Sequence, residues 1–280
     1  MVFIVKIVLL TNDNYFSYIA TGKFLKNYKS DIALVVFSSA LIGKRNALNS
    51  TLWTLKNTGI RHTIFKLSVY GVFKVTRILS QLFPKVICGC STFLWVKKNN
   101  LKFITTDDVN SYECVETIKA ACPDLIVSVS MNQVIKKEIL ELPVNRSVNV
   151  HCAPLPEYGG MSPYIWGLAN KENYSAATIH YMDEGLDTGD IIVQEKISVL
   201  AGDSAFCLFH RCCSKASQLL METIKKIDNG SVDSYPQDLS KKSYFSWPTK
   251  QSVVDLRQNG YCLAKFKDFY LAILTQKPRL

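Results

Sequence analysis

The sequence predicts an open, doubly wound α/β sheet that is mainly parallel, and three observations carry that reading. A mostly apolar run at 3–10, FIVKIVLL, precedes a helical stretch from about Tyr15 to Lys26, and a second apolar run, IALVVFSS, follows at 32–39. The same alternation returns between 111 and 151. With 280 residues, 48% of them hydrophobic and 20% charged, the chain can bury one large core and carry a modest addition. Repeated strand and helix units place helices on both faces of a parallel sheet, with ligands beyond the carboxyl ends of the strands.

In the second block, SYECVETIKAAC reads as a helix that stops at Pro123, DLIVSVS as a buried strand, VIKKEILEL as a helix and SVNVH as the next strand. A short helix from Ser162 to Lys171, a strand AATIHYM, a loop DEGLDTGD and a strand IIVQEKI come next. Asp203 or Ser204 can cap a long helix whose apolar residues Ala205, Phe209, Cys212, Ala216, Leu220, Ile224 and Ile227 keep a helical spacing, and Gly230 can stop it. The sequence then turns polar. We therefore expect one domain over 1–230 and a short helical or mixed appendage over 231–280 that packs back, without a full β-barrel domain.

Charge is unevenly placed. Of the net +10, all lies between Ile32 and Thr106, where eleven Lys and Arg residues stand with no Asp or Glu; the rest of the chain has 22 basic against 23 acidic residues. Residues 51–83 interleave Trp53, Phe65, Tyr70, Phe73 and Phe83 with Lys and Arg. An insert at about 44–102 is thus expected to be an amphipathic helix docked by its apolar face, or a surface for an anionic substrate or an anionic membrane face. Nucleic acid is disfavoured as its partner, and the oligomeric state is left open.

Nine cysteines are present and none forms a C-x-x-C pair, which gives no support for a zinc site. The opening MVFIVKIVLL is short, lacks a basic n-region and soon meets Asn12 and Asp13, so it reads as a strand instead of a signal peptide. No uncharged run approaches the roughly 18 residues that span a bilayer. A reducing, cytoplasmic setting is the expectation, with a peripheral membrane position as its variant. The first strand leads into TNDNYF, not into a glycine-rich phosphate loop, and no G-x-S-x-G elbow occurs.

Chemistry is expected instead from NVHCAPLPEYGG at 149–160 and MDEGLDTGDII at 182–192. A lone histidine at a strand end is usually a satisfied polar or core residue, and a lone Asp before Gly189 a turn residue. Their spacing changes both readings. Asn149 and His151 form N-x-H, and Asp187 of L-D-T-G follows 36 residues later. This combination resembles the signature of the formyltransferase family that uses 10-formyltetrahydrofolate, which includes methionyl-tRNA formyltransferase, glycinamide ribonucleotide transformylase and the sugar N-formyltransferases. The resemblance covers roughly 110–200 and, more loosely, the first 40 residues.

It implies a fold of the formyltransferase type and a catalytic set of Asn149, His151 and Asp187. An amine attacks the formyl carbon, so an oxyanion forms and a proton must leave the nitrogen. Asn149 can donate to the oxyanion, His151 can stabilise it or take the proton, and Asp187 can orient the imidazole and relay a proton through water. The resemblance also places a folate between two loops, here Met131, Asn132, Gln133, Val134 and Ile135, and Asp183, Glu184, Gly185 and Leu186. His180 matches a position where some members have a nonessential histidine, and is read as structural or substrate-adjacent. No metal is implied.

Pro154 and Pro156 are expected to stiffen the histidine loop, and Gly159 and Gly160 to take unusual φ. The loop departs from the family pattern at Cys152, Ala153 and Pro154. A Cys152–His151 nucleophilic pair is the alternative this raises, and it is disfavoured because neighbours on a strand face opposite ways. The 50 to 75 residues left beyond the catalytic part are too few for the barrel that accompanies a tRNA substrate, and P-x-x-W at 163–166 is closer to the sugar-type enzymes. The expected acceptor is a primary amine on a phosphate-bearing small molecule, a nucleotide-linked amino sugar above all. Alternatives are methionyl-tRNA, a peptide or a lipid-linked amine, hydrolysis of the formyl-folate, and a silent relative that binds membrane or nucleic acid.

Overall fold

A computed structural model describes residues 5–39, 47–82 and 91–274. Lys44, Arg45, Phe83 and Lys85 of the basic segment, and Cys88 and Cys90, lie outside the described residues. The elements run β1 (Ile7–Thr11), α1 (Tyr15–Asn27), β2 (Ile32–Ser38), α2 (Ala47–Leu82), α3 (Thr92–Lys98), β3 (Phe103–Thr106), α4 (Tyr112–Ala120), β4 (Leu125–Val129), α5 (Lys137–Leu140) and β5 (Ser147–His151). They continue with β6 (Gly159–Gly160), α6 (Pro163–Ala169), β7 (Tyr174–Tyr181), β8 (Ile191–Ser198), α7 (Ala205–Asp228), β9 (Tyr244–Phe245), α8 (Lys250–Gln258) and α9 (Phe266–Leu274).

The main sheet has the order β3-β2-β1-β4-β5-β7-β8. Its first five strands pair in parallel, while β7 runs antiparallel to both β5 and β8. The predicted mainly parallel α/β sheet is therefore present. β1 is central and buried on both faces: Ile7 and Leu9 join one core with α1 and α7, and Val8 and Leu10 join a second with Val109, Ile118 and Ile139. The order places β1, β4 and β5 side by side, so their carboxyl ends form one rim.

Several elements differ from expectation. The helix expected over 134–142 is a single turn, because Asn110 accepts from the Lys136 N–H and donates to the Val134 carbonyl, which holds the preceding residues as a loop. Neither α3 nor β3 is distinct in the sequence, because the basic segment masks both.

α2 is the expected long helix, interrupted by non-helical Gly59 at φ +83°. Its apolar face does not dock as expected. The side turned to the protein is largely Thr54, Thr58, His62, Thr63, Thr76 and Ser80, with Phe65 and Phe73. Threonine hydroxyls there donate to carbonyls four residues earlier, as from Thr54 to Ser50 at 2.8 Å and from Thr63 to Gly59 at 2.9 Å, so they are buried without needing partners outside the helix.

Residues 231–274 pack on the sheet's carboxyl side and on α6 and α2. β9 pairs in parallel with β6, and Tyr235 forms an antiparallel bridge with Ile191. Ser204 caps α7 by accepting from the Cys207 N–H at 3.0 Å, and its hydroxyl donates at 2.6 Å to Asp268, a buried carboxylate at the start of α9. One side chain thus serves the longest core helix and the docking of the chain's last helix. Replacing Ser204 by Ala removes both bonds and leaves Asp268 with the Lys265 N–H and the Cys207 thiol; a loss of about 2 kcal/mol is expected in urea unfolding, while Ser204→Thr keeps most of it.

Candidate active site

Antiparallel pairing of β5 with β7 sets Asn149 opposite His180 and His151 opposite Thr178. Asn149 and His151, two apart on one strand, face the same way. His180 is buried. Its Nδ1 lies 2.7 Å from the Tyr181 carbonyl and can only donate there, which leaves Nε2 to accept from the Asn149 amide at 3.2 Å. Burial pushes the His180 imidazole down to about 4 against the pull of Asp187, so it is neutral at ordinary pH. The contact between His180 Nε2 and Asp187 Oδ1 at 3.8 Å is then no ion pair. Asn149 keeps its second amide hydrogen for another acceptor.

His151 is oriented differently. Its Nε2 donates to the Tyr158 carbonyl at 3.1 Å, and its Nδ1 lies 3.8 Å from Asp187 Oδ1. Nδ1 is therefore the nitrogen left to exchange a proton. Asp187 Oδ2 accepts the Gly160 N–H at 2.9 Å, and the Asp187 carbonyl accepts from Gln237 at 3.0 Å. Burial alone would raise the Asp187 carboxyl; the imidazole of His151, the Gly160 N–H and Lys242 outweigh it and hold the group below the ordinary carboxylate range. The residue sits at φ +54°, a region that Asp and Asn enter more readily than most.

The loop after β5 is fixed from all sides. Thr178 donates to the Ala153 carbonyl at 2.6 Å and Gln194 to the Leu155 carbonyl at 2.9 Å. The Tyr158 N–H donates to Ser243 at 2.9 Å, the Tyr158 ring stacks on Phe245 with centroids 5.0 Å apart, and its hydroxyl donates to Glu172 at 2.7 Å. Of the two glycines expected to take unusual φ, only Gly160 does, at +96°; a Cβ there would meet the Phe245 carbonyl oxygen at 2.3 Å. The other positive φ belongs to Tyr158, at +58°. A Cβ on Gly189 would lie 2.0 Å from the Tyr181 carbonyl oxygen, so the turn beyond Asp187 also closes only around glycine.

Asn149, His151 and Asp187 are thus brought together. The two loops assigned to folate are neighbours too, since Lys137 just beyond the first pairs with Glu184 of the second at 3.6 Å. Most of their side chains hold the loops themselves. Asn132 bonds Ser38 and Ser39, Gln133 bonds Ser38, Asp107 and Val109, Ile135 is buried, Met131 packs on the second core, and Asp183 accepts from Gly185 and Thr188. Val134 and Leu186 remain exposed. Cys152 faces away from His151 and lies 3.8 Å from Cys213 of α7, sulfur to sulfur. That geometry goes against a Cys152–His151 pair.

Sequence reasoning missed Tyr158, Gln237, Ser243 and Phe245. Tyr158 acts through its carbonyl, which no side-chain pattern reveals, and the other three come from a segment with no local motif. A surface cavity of about 440 Å³ lies elsewhere, at the amino end of β4, lined by Lys6, Cys122, Pro123 and Asp124. Among the described residues no group of three or more His, Cys, Asp or Glu could hold a metal ion.

This arrangement sets an amide donor, an imidazole and a carboxylate at the carboxyl end of a mainly parallel α/β sheet, where such sheets bind their ligands. Residues 90–224 match the model of the formyl transferase family, and that part of the chain is a formyl transferase domain. Methionyl-tRNA formyltransferase from Kosmotoga olearia is 36% identical over 146 residues, 52% of this chain and 47% of that protein. GDP-perosamine N-formyltransferase from Brucella melitensis is 38% identical over 159 residues, 57% of this chain and 60% of that one. The chain spans about half the length of the methionyl-tRNA formyltransferases it matches. In fold it resembles the N-formyltransferase from Helicobacter canadensis, solved with folinic acid and dTDP-3-aminofucose, with a TM-score of 0.55 at 20% identity over 86% of this chain and 71% of that one.

Because His180 protonates near pH 6.5 when unfolded and only near 4 when folded, the unfolded state holds the extra proton between those values. Stability is expected to fall as the pH drops from about 6.5 to 4, by at most roughly 3 kcal/mol from this residue. Urea midpoints across that window would show it, and His180→Gln should flatten the slope.

Proposed function

We propose that the protein transfers a formyl group from 10-formyltetrahydrofolate to a primary amine on a phosphate-bearing small molecule, with a nucleotide-linked amino sugar as the acceptor. The observation that carries this is the convergence of Asn149, His151 and Asp187 on one rim, inside the residues that match the family. As the amine attacks the formyl carbon, negative charge gathers on the formyl oxygen. The free amide hydrogen of Asn149, held in direction by neutral His180, is the donor for it. Nδ1 of His151 takes the proton from the attacking nitrogen, and the low-lying carboxylate of Asp187 favours the imidazolium that results. When the tetrahedral centre collapses, the folate nitrogen leaves and receives the proton that His151 took from the amine, which restores the imidazole.

The loops at 131–135 and 183–186 suit a flat heterocycle. Their polar side chains are already bonded within the protein, so backbone groups and the exposed Val134 and Leu186 are what a ligand would meet. Folinic acid in the Helicobacter canadensis structure supports the formyl-folate donor, and the nucleotide sugar in the same complex supports the acceptor. The Brucella melitensis relative, whose name specifies a GDP-linked sugar, shares a larger fraction of its length with this chain than the methionyl-tRNA enzymes do. We assign the catalytic unit to 1–230 and treat 231–280 as a short addition that closes the site's loops.

Protein incubated with 10-formyltetrahydrofolate and a panel of nucleotide-linked amino sugars is expected to release tetrahydrofolate only when an amine is present. Release with formate and no amine would make water the acceptor. No release from protein that binds the folate would sink the reading. His151→Ala should lower kcat by about 10² to 10⁴ and Asp187→Ala by a comparable factor, with folate binding by calorimetry changed far less.

A further inference from the structure

We propose that the solvent-facing stripe of α2 seats the protein on an anionic lipid bilayer. The proposal stands apart from the formyl-transfer reading. From Ile60 to Leu82 the outward side of α2 carries Ile60, Ile64, Leu67, Val75, Ile78 and Leu82, at intervals that bring them onto one helix face. Each of the six leaves between 50% and 66% of its surface exposed. The stripe is about 33 Å long. Its opposite side holds the back-bonded threonines, His62, Phe65 and Phe73, so the helix is amphipathic in the reverse of the usual sense. Isolated exposed aliphatics are ordinary, whereas six on one helix face, interrupted only at Gly71, mark an interaction surface.

Charge selects the occupant. Exposed Arg61 and Lys74 flank the band, exposed Lys56 lies one turn before it, and Arg257 of α8 joins Arg61 around a groove of about 270 Å³ beside α2. No carboxylate occurs anywhere from 32 to 106. A second copy docked on this face by two-fold symmetry would set the cations of α2 against those of its partner, with no carboxylate on either α2 to pair them. Nucleic acid would meet one exposed ring on α2, Tyr70, among Ile, Leu and Val, where successive bases need successive rings. Anionic headgroups over an acyl layer match both features, since aliphatic side chains enter the acyl boundary while flanking cations meet phosphates. Among the described residues no helix is long and apolar enough to cross a membrane, so the contact is one that lies in the surface.

Co-sedimentation of the full chain with vesicles of equal phosphatidylcholine and phosphatidylglycerol tests this, with pure phosphatidylcholine vesicles as the control. At low salt, binding at least tenfold tighter to the anionic vesicles is expected, and weaker binding as salt is added. Ile64→Asp with Leu67→Asp should weaken it by more than tenfold while leaving the thermal midpoint in place, because both side chains are half exposed or more. Lys74→Ala should weaken it about fivefold, the factor that roughly 1 kcal/mol per surface cation gives. The proposal is overturned by no binding to anionic vesicles at low salt, by equal binding by the double variant, or by a micromolar dimer in sedimentation that the double variant dissolves. A shift of RNA lost in that variant would overturn it as well.

Discussion

The bond from the Gly160 N–H to Asp187 Oδ2 ties the loop that follows β5 to the loop that joins β7 and β8. Both loops leave neighbouring strands of the main sheet, and the first is also held by the pairing of β6 with β9. Through this bond the carboxylate stands near His151 Nδ1 and His180 Nε2 together. Without it the three side chains would still share a rim but would have no common reference. The buried acid stays ionised because its partners are a backbone N–H and the His151 ring, with Lys242 contributing from the C-terminal segment.

Two histidines in one site carry out separate tasks because their outer nitrogens are claimed by different carbonyls. Tyr181 takes Nδ1 of His180 and leaves Nε2 for Asn149; Tyr158 takes Nε2 of His151 and leaves Nδ1 toward Asp187. The backbone thus decides which ring holds a neighbour and which ring faces an acid. Tyr158 can present its carbonyl in this way because its ring, hydroxyl and N–H are all engaged by Phe245, Glu172 and Ser243. Two of those three come from the chain beyond α7. The polar segment that looks like a linker is what braces the histidine loop.

Much of this was legible in the sequence. Apolar runs separated by helix caps foretold the strands, and the match of N-x-H and L-D-T-G to one family signature foretold the meeting of His151 with Asp187. The parts that were not legible share a cause: they depend on backbone groups or on distant segments. The Tyr158 carbonyl, the Gln237 amide on the Asp187 carbonyl and the pairing of β6 with β9 have no signature in local composition. α2 misled for another reason. Threonine is polar by composition yet hides its hydroxyl on its own helix, so hydrophobicity alone points the helix the wrong way round.

The left-handed backbone of Asp187 also narrows what the position can hold before any chemistry is considered. At φ +54° a β-branched residue is strongly disfavoured, and Glu lacks the local tolerance of Asp and Asn for this conformation and would carry its oxygens past the Gly160 N–H. Asn is the one replacement that keeps both shape and conformation while giving up the charge. In a library randomised at this codon, folding would act as the first sieve and proton transfer as the second, and the two sieves would pass different residues.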